Sequence, residues 1–354
     1  MSLKQENILL TLDRLNSISL PAPSLWLLSG CMESKGKQDL WLKQKPHLLT
    51  SLREQSEILS IESSNRIEGV EVEPERLRPI LLDKSKPKDR PEEELVAYQS
   101  ALRWVYSHVQ DRPAMLTIKS VQHLHKLAQF GAGDAGLWKR KDNTIIQRLP
   151  NGEIKTIFKP TSAQNTAVAM KKMCDEYASC LDVPDTPALL LIAVIIFDFL
   201  CIHPFRDGNG RVSRILTTML LLNHGFEVPR YVSLEKWVED HKESYYQVLN
   251  QCSQDWQNGK NEIIPWCNFF FRMIKDAYQT LQAQVELKGT IPAKKQMIID
   301  SILAQMGPFT LGDIVLLNPN ASTPFIKKVL GQLKSQGKVA QEGRGRGSRW
   351  RVLG

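Results

Sequence analysis

HPFRDGNGRVSR, at residues 203–214, joins two segments that have the length and apolar content of helices. Gly208 and Gly210 permit a positive φ and a close approach of the backbone to a ligand. The helix predicted to begin near Arg211 offers unpaired N–H groups and the positive end of its dipole. The backbone of this stretch therefore predicts an anion-binding turn before any side chain is considered.

The side chains of the same stretch suit a nucleotide site. Arg211 and Arg214 are three residues apart on the predicted helix, so their guanidinium groups can hold successive phosphates. Asp207 is a hard oxygen ligand of the kind that Mg²⁺ prefers. His203 is the one group of the stretch that can take a proton near neutral pH. Together these groups indicate transfer of part of a nucleotide.

The stretch resembles the signature of the Fic family, His-Pro-Phe-x-Asp/Glu-Gly-Asn-Gly-Arg-x-x-Arg, at all nine specified positions. A match of this length disfavours the alternative that a Gly-Asn-Gly turn only caps a helix. The resemblance implies that His203 deprotonates a target hydroxyl, which attacks the α-phosphate of ATP and expels pyrophosphate. It further implies that Asp207 binds Mg²⁺ and that Gly208, Asn209 and Gly210 form a cradle for the α- and β-phosphates. Arg211 would then contact the β-phosphate and Arg214 the γ-phosphate.

Gly208 bears on which group is transferred. The related Doc kinases have a lysine at this position and transfer phosphate, so the glycine favours transfer of AMP to a Tyr, Thr or Ser of a protein. A phosphotransferase is the rival within enzymes. The rival from another class is a DNA-binding transcription regulator whose Fic core only senses nucleotide.

Segments on either side extend the resemblance through the body of the chain. Residues 136–139, followed by a hairpin with an Asn-Gly turn at 143–158, resemble the family's flap, whose backbone edge pairs with a target segment. Lys139 stands where arginine is common and is assigned no role. Tyr245 and Tyr246 resemble a tyrosine pair near the adenine, and packing in the core is the alternative for both.

A second motif lies upstream, where residues 48–67 are predicted to form a helix that ends at Gly69. The run SSNRIEG, which begins one residue before Ser64, contains the pattern Ser/Thr-x-x-x-Glu-Gly/Asn of the Fic inhibitory motif. By that resemblance Glu68 pairs with Arg214 and occupies the γ-phosphate position. The alternative is an ordinary glutamate at a helix end. Whether Glu68 also supports removal of AMP is left open.

Residues 290–354 carry ten basic and three acidic side chains, which is seven units of the chain's net charge of +8. Three predicted helices and a glycine-arginine hairpin in this part resemble a winged helix-turn-helix. Lys327 and Lys328 on the third helix, with Arg344 and Arg346 in the wing, are the candidate DNA contacts. Docking of a protein or formation of a homodimer is the alternative use of such a fold.

Breaks in the pattern predict three parts. A charged, proline-containing connection at 83–91 and a Gly-Pro break near 289 separate an N-terminal helical region (1–91), a Fic catalytic domain (92–288) and a winged helix-turn-helix domain (289–354). The expected fold is mostly α, with the hairpin flap on a helical core. Six scattered cysteines, no secretory leader and no apolar run of about 20 residues favour a reduced, cytoplasmic protein outside the membrane.

Overall fold

The structure, a computed structural model, describes residues 12–44, 46–111, 116–148, 154–183, 186–287, 293–318, 321–343 and 348–353. Most of these residues are helical, as the sequence predicts. The helices are α1 (Leu12–Ser17), α2 (Ala22–Gln44), α3 (Pro46–Ile67), α4 (Pro74–Leu81), α5 (Arg90–Asp111), α6 (Ile118–Ala128), α7 (Ala163–Leu181), α8 (Ala188–Ile202), α9 (Asn209–Asn223), α10 (Leu234–Asp240), α11 (Lys242–Ser253), α12 (Ile264–Leu287), α13 (Ala293–Leu303), α14 (Leu311–Leu317) and α15 (Thr323–Ser335).

Helix α8 lies at the centre of the molecule, where thirteen of its fifteen residues are buried. Helices α7, α9 and α12 pack around it. This burial explains why an almost continuous apolar run appears in the sequence, since a helix surrounded by other helices needs no polar face. Among the residues that the structure describes, no helix is long and apolar enough to cross a membrane.

Two separate cores account for the buried apolar side chains. The larger one extends from Leu15 to Val285, so the N-terminal helices and the central body share it. The smaller one lies among α13, α14, α15 and the strands of the C-terminal part. Helix α3 also packs against α13, which brings the C-terminal part next to the helix that carries the candidate inhibitory motif.

The predicted hairpin is present as the antiparallel strands β1 (Ile145–Arg148) and β2 (Ile154–Phe158). Its Asn-Gly turn at 151–152 lies outside the described residues. An isolated hairpin is marginally stable in water, so contacts with the body have to hold it in place. The Phe158 ring meets Trp256 edge-on at 6.4 Å between centroids, and Gln257 donates a hydrogen bond to the Lys159 carbonyl.

The C-terminal part contains the three predicted helices and a sheet of order β3-β5-β4, from β3 (Phe309–Thr310), β4 (Val339–Glu342) and β5 (Arg349–Val352). Thr310 forms the predicted capping box with Asp313 at the start of α14. Lys327 and Lys328 are exposed on α15. Arg344 and Arg346 lie outside the described residues, so the wing and its DNA contacts stay predictions.

Two helix boundaries differ from what the sequence pattern predicts. The pattern over 236–253 predicts a single helix, but it is interrupted at His241, whose ring stacks on Trp237 and whose backbone leaves the helical region. The dipeptide Thr186-Pro187 predicts an N-cap at Thr186, but Pro187 holds that position. The Thr186 hydroxyl instead donates to the carbonyls of Cys180 and Val183 near the end of α7.

Gln38 on α2 ties the N-terminal region to the body. Its Nε2 donates to the Gly225 carbonyl at 2.7 Å, and its Oε1 accepts from the Glu227 N–H at 3.0 Å and from the Tyr278 hydroxyl at 2.8 Å. Gln38 is 7% exposed and Tyr278 is fully buried. These polar groups can satisfy one another only while the two parts stay packed together.

Gln38→Ala is expected to lower the free energy of unfolding by roughly 1–3 kcal/mol, because it leaves the Tyr278 hydroxyl and the Glu227 N–H without their acceptor. Urea denaturation followed by circular dichroism measures the loss. The control is Lys37→Ala on the neighbouring exposed position, which should leave the midpoint nearly unchanged. Equal midpoints for the two variants would show that Gln38 does not clamp the two parts.

Candidate active site

The turn between α8 and α9 begins and ends with a left-handed residue. His203 has φ 51° and follows the last residue of α8, and Gly208 has φ 77° and precedes the first residue of α9. Helix α9 begins two residues earlier than the sequence predicts, at Asn209. The first N–H groups of α9 lack partners within the helix and face the turn. The start of α9 therefore offers the N–H groups that an anion site needs, and the binding of an anion there stays a prediction.

The His203 ring is held in one tautomer. Its Nδ1 lies 3.3 Å from the Leu200 carbonyl oxygen, and because a carbonyl only accepts, Nδ1 carries the proton. Nε2 is then the ring nitrogen with a free lone pair. Burial, and after it the positive charge of Lys139, lower the pKa of His203 from 6.5 to about 4. The ring is therefore neutral at pH 7, as a general base must be.

Asn209 clamps the turn with its side chain. Its Oδ1 accepts from the Phe205 N–H at 2.9 Å, and its Nδ2 donates to the Phe205 carbonyl at 2.8 Å. Asn209 is 2% exposed, so both ends of the amide are used inside the protein. What Asn209 can offer a phosphate is its backbone N–H.

The other carbonyl groups of the turn are held from the segment that leads to the flap. Lys139 donates from Nζ to the Ile202 carbonyl at 3.2 Å and from its backbone N–H to the Pro204 carbonyl at 2.9 Å. Asn143 donates to the Phe205 carbonyl at 3.2 Å and accepts from Lys139 Nζ at 2.8 Å. These bonds join the base of the flap to the catalytic turn.

His125 holds the Asp207 carbonyl of the turn. Its Nδ1 accepts from the Gly136 N–H at 2.8 Å, so its Nε2 carries the proton and donates to the Asp207 carbonyl at 3.1 Å. The ring stacks on Phe205 at 3.6 Å between centroids. His123, two residues earlier, is exposed and its ring lies beside Trp104. The two histidine rings therefore point to different sides of α6, as helical geometry predicts.

Asp207 is exposed at the open side of the turn. Its Oδ1 accepts from the Gly208 N–H at 2.7 Å. Mg²⁺ in nucleotide sites is commonly held by one or two carboxylates together with phosphate oxygens and water. An exposed carboxylate at the mouth of an anion site fits that donor set.

Arg211 is buried and points toward α5. Its Nη1 lies 2.9 Å from a carboxylate oxygen of Glu94, and its Nε is buried with no partner among the described residues. The sequence predicts a β-phosphate contact for Arg211 but not the pairing with Glu94. The pairing fixes where the guanidinium lies while it leaves other donors of the group for a further anion.

Arg214 is held by the end of α3. Its Nη2 lies 2.8 Å from Glu68 Oε1 and donates to the Ser64 carbonyl at 3.0 Å, and its Nε donates to the Ser64 hydroxyl at 2.9 Å. Burial acts to lower the pKa of Arg214, and the surrounding groups, Glu68 first, raise it above its ordinary value. The guanidinium is therefore charged, and its Nε and Nη2 are both bonded to the motif of α3.

Glu68 also lies against the turn itself. A Cβ atom at position 210 would collide with Glu68 Oε1 and would be 3.2 Å from Nη1 of Arg214. The Glu68 carboxylate thus lies beside Gly210, at the N-terminus of α9, where the dipole and free N–H groups favour negative charge. A carboxylate of the chain is in the place where the sequence predicts a phosphate.

Gly69 allows Glu68 to reach this position. Its φ is 81°, and the hydrogen bonds from Val70 to Asn65 and from Gly69 to Arg66 are those of a Schellman motif. Lys242 Nζ donates to the Ile67 carbonyl at 2.8 Å and secures the same helix end. Gly69 thus ends α3 in the left-handed conformation, as the sequence predicts. The contact of Lys242 was not predicted.

Tyr245 and Tyr246 have different surroundings. Tyr245 is buried in the core, which was the alternative for it, whereas Tyr246 is 46% exposed. Burial raises the pKa of Tyr246, and Glu68 raises it further while Arg214 lowers it. Tyr246 is therefore near the pair formed by Glu68 and Arg214, and its contact with an adenine stays a prediction.

The sequence does not reveal the roles of His125 and Lys139 at this site. The helical pattern favours a core or surface position for His125, which is buried and also holds the Asp207 carbonyl. Lys139 was given no role, and it is 5% exposed beneath the end of α8. A buried lysine or histidine has no periodic signal, so the sequence does not distinguish such residues from surface ones.

The model of the Fic/DOC family matches residues 115–221. A Fido domain-containing protein of Dictyostelium discoideum is 32% identical over 128 residues, which are 36% of this chain and 77% of that protein. A protein of Nematostella vectensis named protein adenylyltransferase Fic is 24% identical over 190 residues, which are 52% of this chain and 39% of that protein. The solved structure of a Fic family protein from Desulfovibrio desulfuricans G20 superimposes with a TM-score of 0.59 at 18% identity, and covers 95% of this chain and 98% of that one.

The turn with its histidine and the helical body around it define a Fic domain. This chain belongs to the Fic/DOC family.

Gly208→Ala is expected to lower the free energy of unfolding by at least about 1–2 kcal/mol, because a Cβ atom is unfavourable in the left-handed region. The added atom would also lie 2.9 Å from Cγ of Gln129. The matched control is Gly133→Ala, where a Cβ meets nothing within 4 Å. Urea denaturation of both variants measures the difference. Similar losses in the two would mean that the turn tolerates a side chain at position 208.

Proposed function

We propose that this protein transfers AMP from ATP to a Tyr, Thr or Ser hydroxyl of a target protein, and that Glu68 inhibits it. The observation that carries the proposal is the arrangement of His203 and Arg214 around one anion-binding turn. A neutral imidazole with a free Nε2 is at one end of the turn. A guanidinium held by an internal carboxylate is at the other. The name of the Nematostella vectensis relative supports the same activity.

The proposed reaction needs one base and one anion site. His203 Nε2 takes the proton of the target hydroxyl, and the oxygen forms a bond to the α-phosphorus of ATP. The bond from that phosphorus to the α–β bridging oxygen breaks, and pyrophosphate leaves with the electron pair. The products are the AMP ester of the target and pyrophosphate, and the proton resides on His203 until solvent removes it. The N–H groups of Asn209 and Gly210 stabilise the phosphate charge during this step.

Mg²⁺ would be held by Asp207 together with phosphate oxygens of the nucleotide. When bound it would neutralise part of the triphosphate charge. The chain's own contribution is to fix the turn that carries Asp207, through the bond from His125 to the Asp207 carbonyl.

The inhibition follows from competition for one guanidinium. Arg214 is proposed to hold the γ-phosphate, and its Nη2 is already bonded to Glu68, which supports competition between the two anions. A carboxylate at the same helix N-terminus also repels an arriving triphosphate. ATP can therefore bind only with its γ-phosphate displaced, which misaligns the α-phosphate relative to His203.

The target is proposed to dock on the flap. Strands β1 and β2 form a two-stranded sheet, which leaves backbone edges that an extended segment can pair with.

DNA is the proposed partner of the C-terminal part, because Lys327 and Lys328 are exposed on α15. Docking of a protein or of a second copy is the alternative.

His203→Ala is expected to reduce transfer of label from α-labelled ATP to protein by about 10²–10⁴, because the general base is lost while the anion site remains. ATP affinity, measured by calorimetry, should change little. The control is His123→Ala, which removes an exposed histidine of the neighbouring helix.

Parallel reactions with γ-labelled ATP separate the rival functions. Label from the γ-phosphate alone would identify a phosphotransferase. No label from either phosphate and no pyrophosphate would identify a nucleotide sensor. Undiminished α-labelling by His203→Ala would remove His203 from the reaction.

Glu68→Gly is expected to raise AMP transfer tenfold to a thousandfold. The pair is partly buried, with the Arg214 side chain 7% and the Glu68 side chain 29% exposed. Removing one partner of a buried charge pair costs about 3–5 kcal/mol, which is an upper bound here, and about 5.5 kcal/mol reverses a 99:1 population. The matched control is Glu71→Gly, which removes an exposed carboxylate three residues further on.

The gain should depend on Arg214. The double variant Glu68→Gly with Arg214→Ala should lose most of it, because no guanidinium is left to orient the γ-phosphate. If Glu68→Gly and Glu71→Gly show the same rate on a proven target, Glu68 is an ordinary helix-end residue.

A further inference from the structure

Gln129, which directly follows α6, is a buried polar residue that the proposed chemistry does not use. It is 8% exposed, and its amide nitrogen Nε2 is buried with no acceptor among the described residues. A buried donor without a partner is costly, because its bond to water is lost and not replaced. Such exceptions in folded proteins call for a specific explanation, and an acceptor that arrives with a ligand is one.

The amide lies against Gly208, at the start of the anion site. A Cβ atom at position 208 would be 2.9 Å from both Cγ and Cδ of Gln129 and would collide with Nε2. Gly208 therefore makes room for the Gln129 side chain in addition to supplying the left-handed backbone. The unpaired donor is next to the N-terminus of α9, where free N–H groups and the helix dipole favour an anion.

Helix α6 holds Gln129 in this position. The Gln129 N–H donates to the His125 carbonyl at 2.9 Å, and His125 is bonded through its ring to the Asp207 carbonyl. The Phe205 ring stacked on His125 prevents the helix end from rotating relative to the turn. The backbone that carries the amide is thus held before any nucleotide binds, and a donor on a held backbone loses less entropy when it makes a hydrogen bond.

The two ends of the turn have different neighbours. Glu68 and Arg214 lie beside Gly210, which is the end where the γ-phosphate is proposed to bind. Gln129 lies beside Gly208, toward His203 in the chain. A triphosphate that extends along the turn with its γ-phosphate at Arg214 brings its α-phosphate to the end where Gln129 and His203 are.

We propose that Gln129 is a further nucleotide-binding residue, whose Nε2 donates a hydrogen bond to a nonbridging oxygen of the α-phosphate. The proposal rests on the proposed function, in that the anion is ATP. A hydrogen bond to a charged acceptor is stronger than one between neutral groups. Because the acceptor belongs to the phosphate that is attacked, the bond supports both binding and transfer.

The test compares Gln129→Met, which keeps the length of the side chain and removes the donors, with Gln129→Glu, which keeps its shape and adds a negative charge. Both are made in the Glu68→Gly variant, and Gln122→Met, seven residues earlier on α6, is the control. Calorimetric titration with ATP and with AMP should show a Kd raised roughly tenfold to a hundredfold in Gln129→Met and further in Gln129→Glu. The control should match the parent.

A second readout separates ligand binding from support of the fold. Gln129→Met removes an unpaired donor, so its urea midpoint without nucleotide should equal or exceed that of the parent. A lower midpoint together with weaker binding would indicate a structural role and overturn the proposal. Unchanged affinities would overturn it too, as would weaker ATP binding with unchanged AMP binding, since AMP has only the α-phosphate.

The binding measurement also distinguishes failure of this proposal from failure of the proposed function. If the Glu68→Gly parent binds ATP and transfers no AMP, the proposed function is wrong, and the ratio of Kd values still decides the role of Gln129. If the parent does transfer AMP, kcat/KM in Gln129→Met should fall by at least the factor found for binding.

Discussion

The site depends on how the carbonyl groups of the six-residue turn between α8 and α9 are held. A turn that presents N–H groups to an anion has to direct its carbonyl oxygens elsewhere, because carbonyl oxygens repel phosphate and need donors when buried. The carbonyls of Ile202, Pro204, Phe205 and Asp207 all accept hydrogen bonds, and the donors are Lys139, Asn143, Asn209 and His125. The shape of the turn therefore depends on α6 and the base of the flap, which supply three of these four donors.

The buried charge of Arg214 sets a second constraint. Arg214 is 7% exposed, and a buried cation is costly unless a negative group compensates it. In this structure Glu68 is that group, and the Ser64 hydroxyl accepts a further hydrogen bond from the guanidinium. If a γ-phosphate replaces Glu68, the guanidinium exchanges one anion for another and stays compensated. On the proposed function, the inhibited and the nucleotide-bound states differ in which anion, Glu68 or the γ-phosphate, pairs with Arg214.

The proposed exchange of Glu68 for a γ-phosphate depends on how the end of α3 is held. The helix is secured at Ile67 by Lys242, and Arg66 pairs with Glu62 on its own helix and with Glu239 at the end of α10. Near its middle, α3 also packs against α13 of the C-terminal part. Since Glu68 is carried by the last residues of α3, a shift of the helix would move the carboxylate relative to Arg214.

The sequence alone determined the features that depend on neighbours in the chain. Gly208 and Gly69 were predicted to suit a positive φ and the hairpin strands to pair, because glycine content and turn residues act over a few residues. Tertiary structure alone decided which side chains meet the turn. Nothing local links Lys139 or His125 to residues some 60 to 80 positions away. The role of His125 follows from the packing of α6 against α9, and that of Lys139 from the contact of the segment before the flap with the turn. A buried polar group takes its partner from whatever the fold brings within hydrogen-bonding distance, so its role is a property of the fold and has no pattern along the chain.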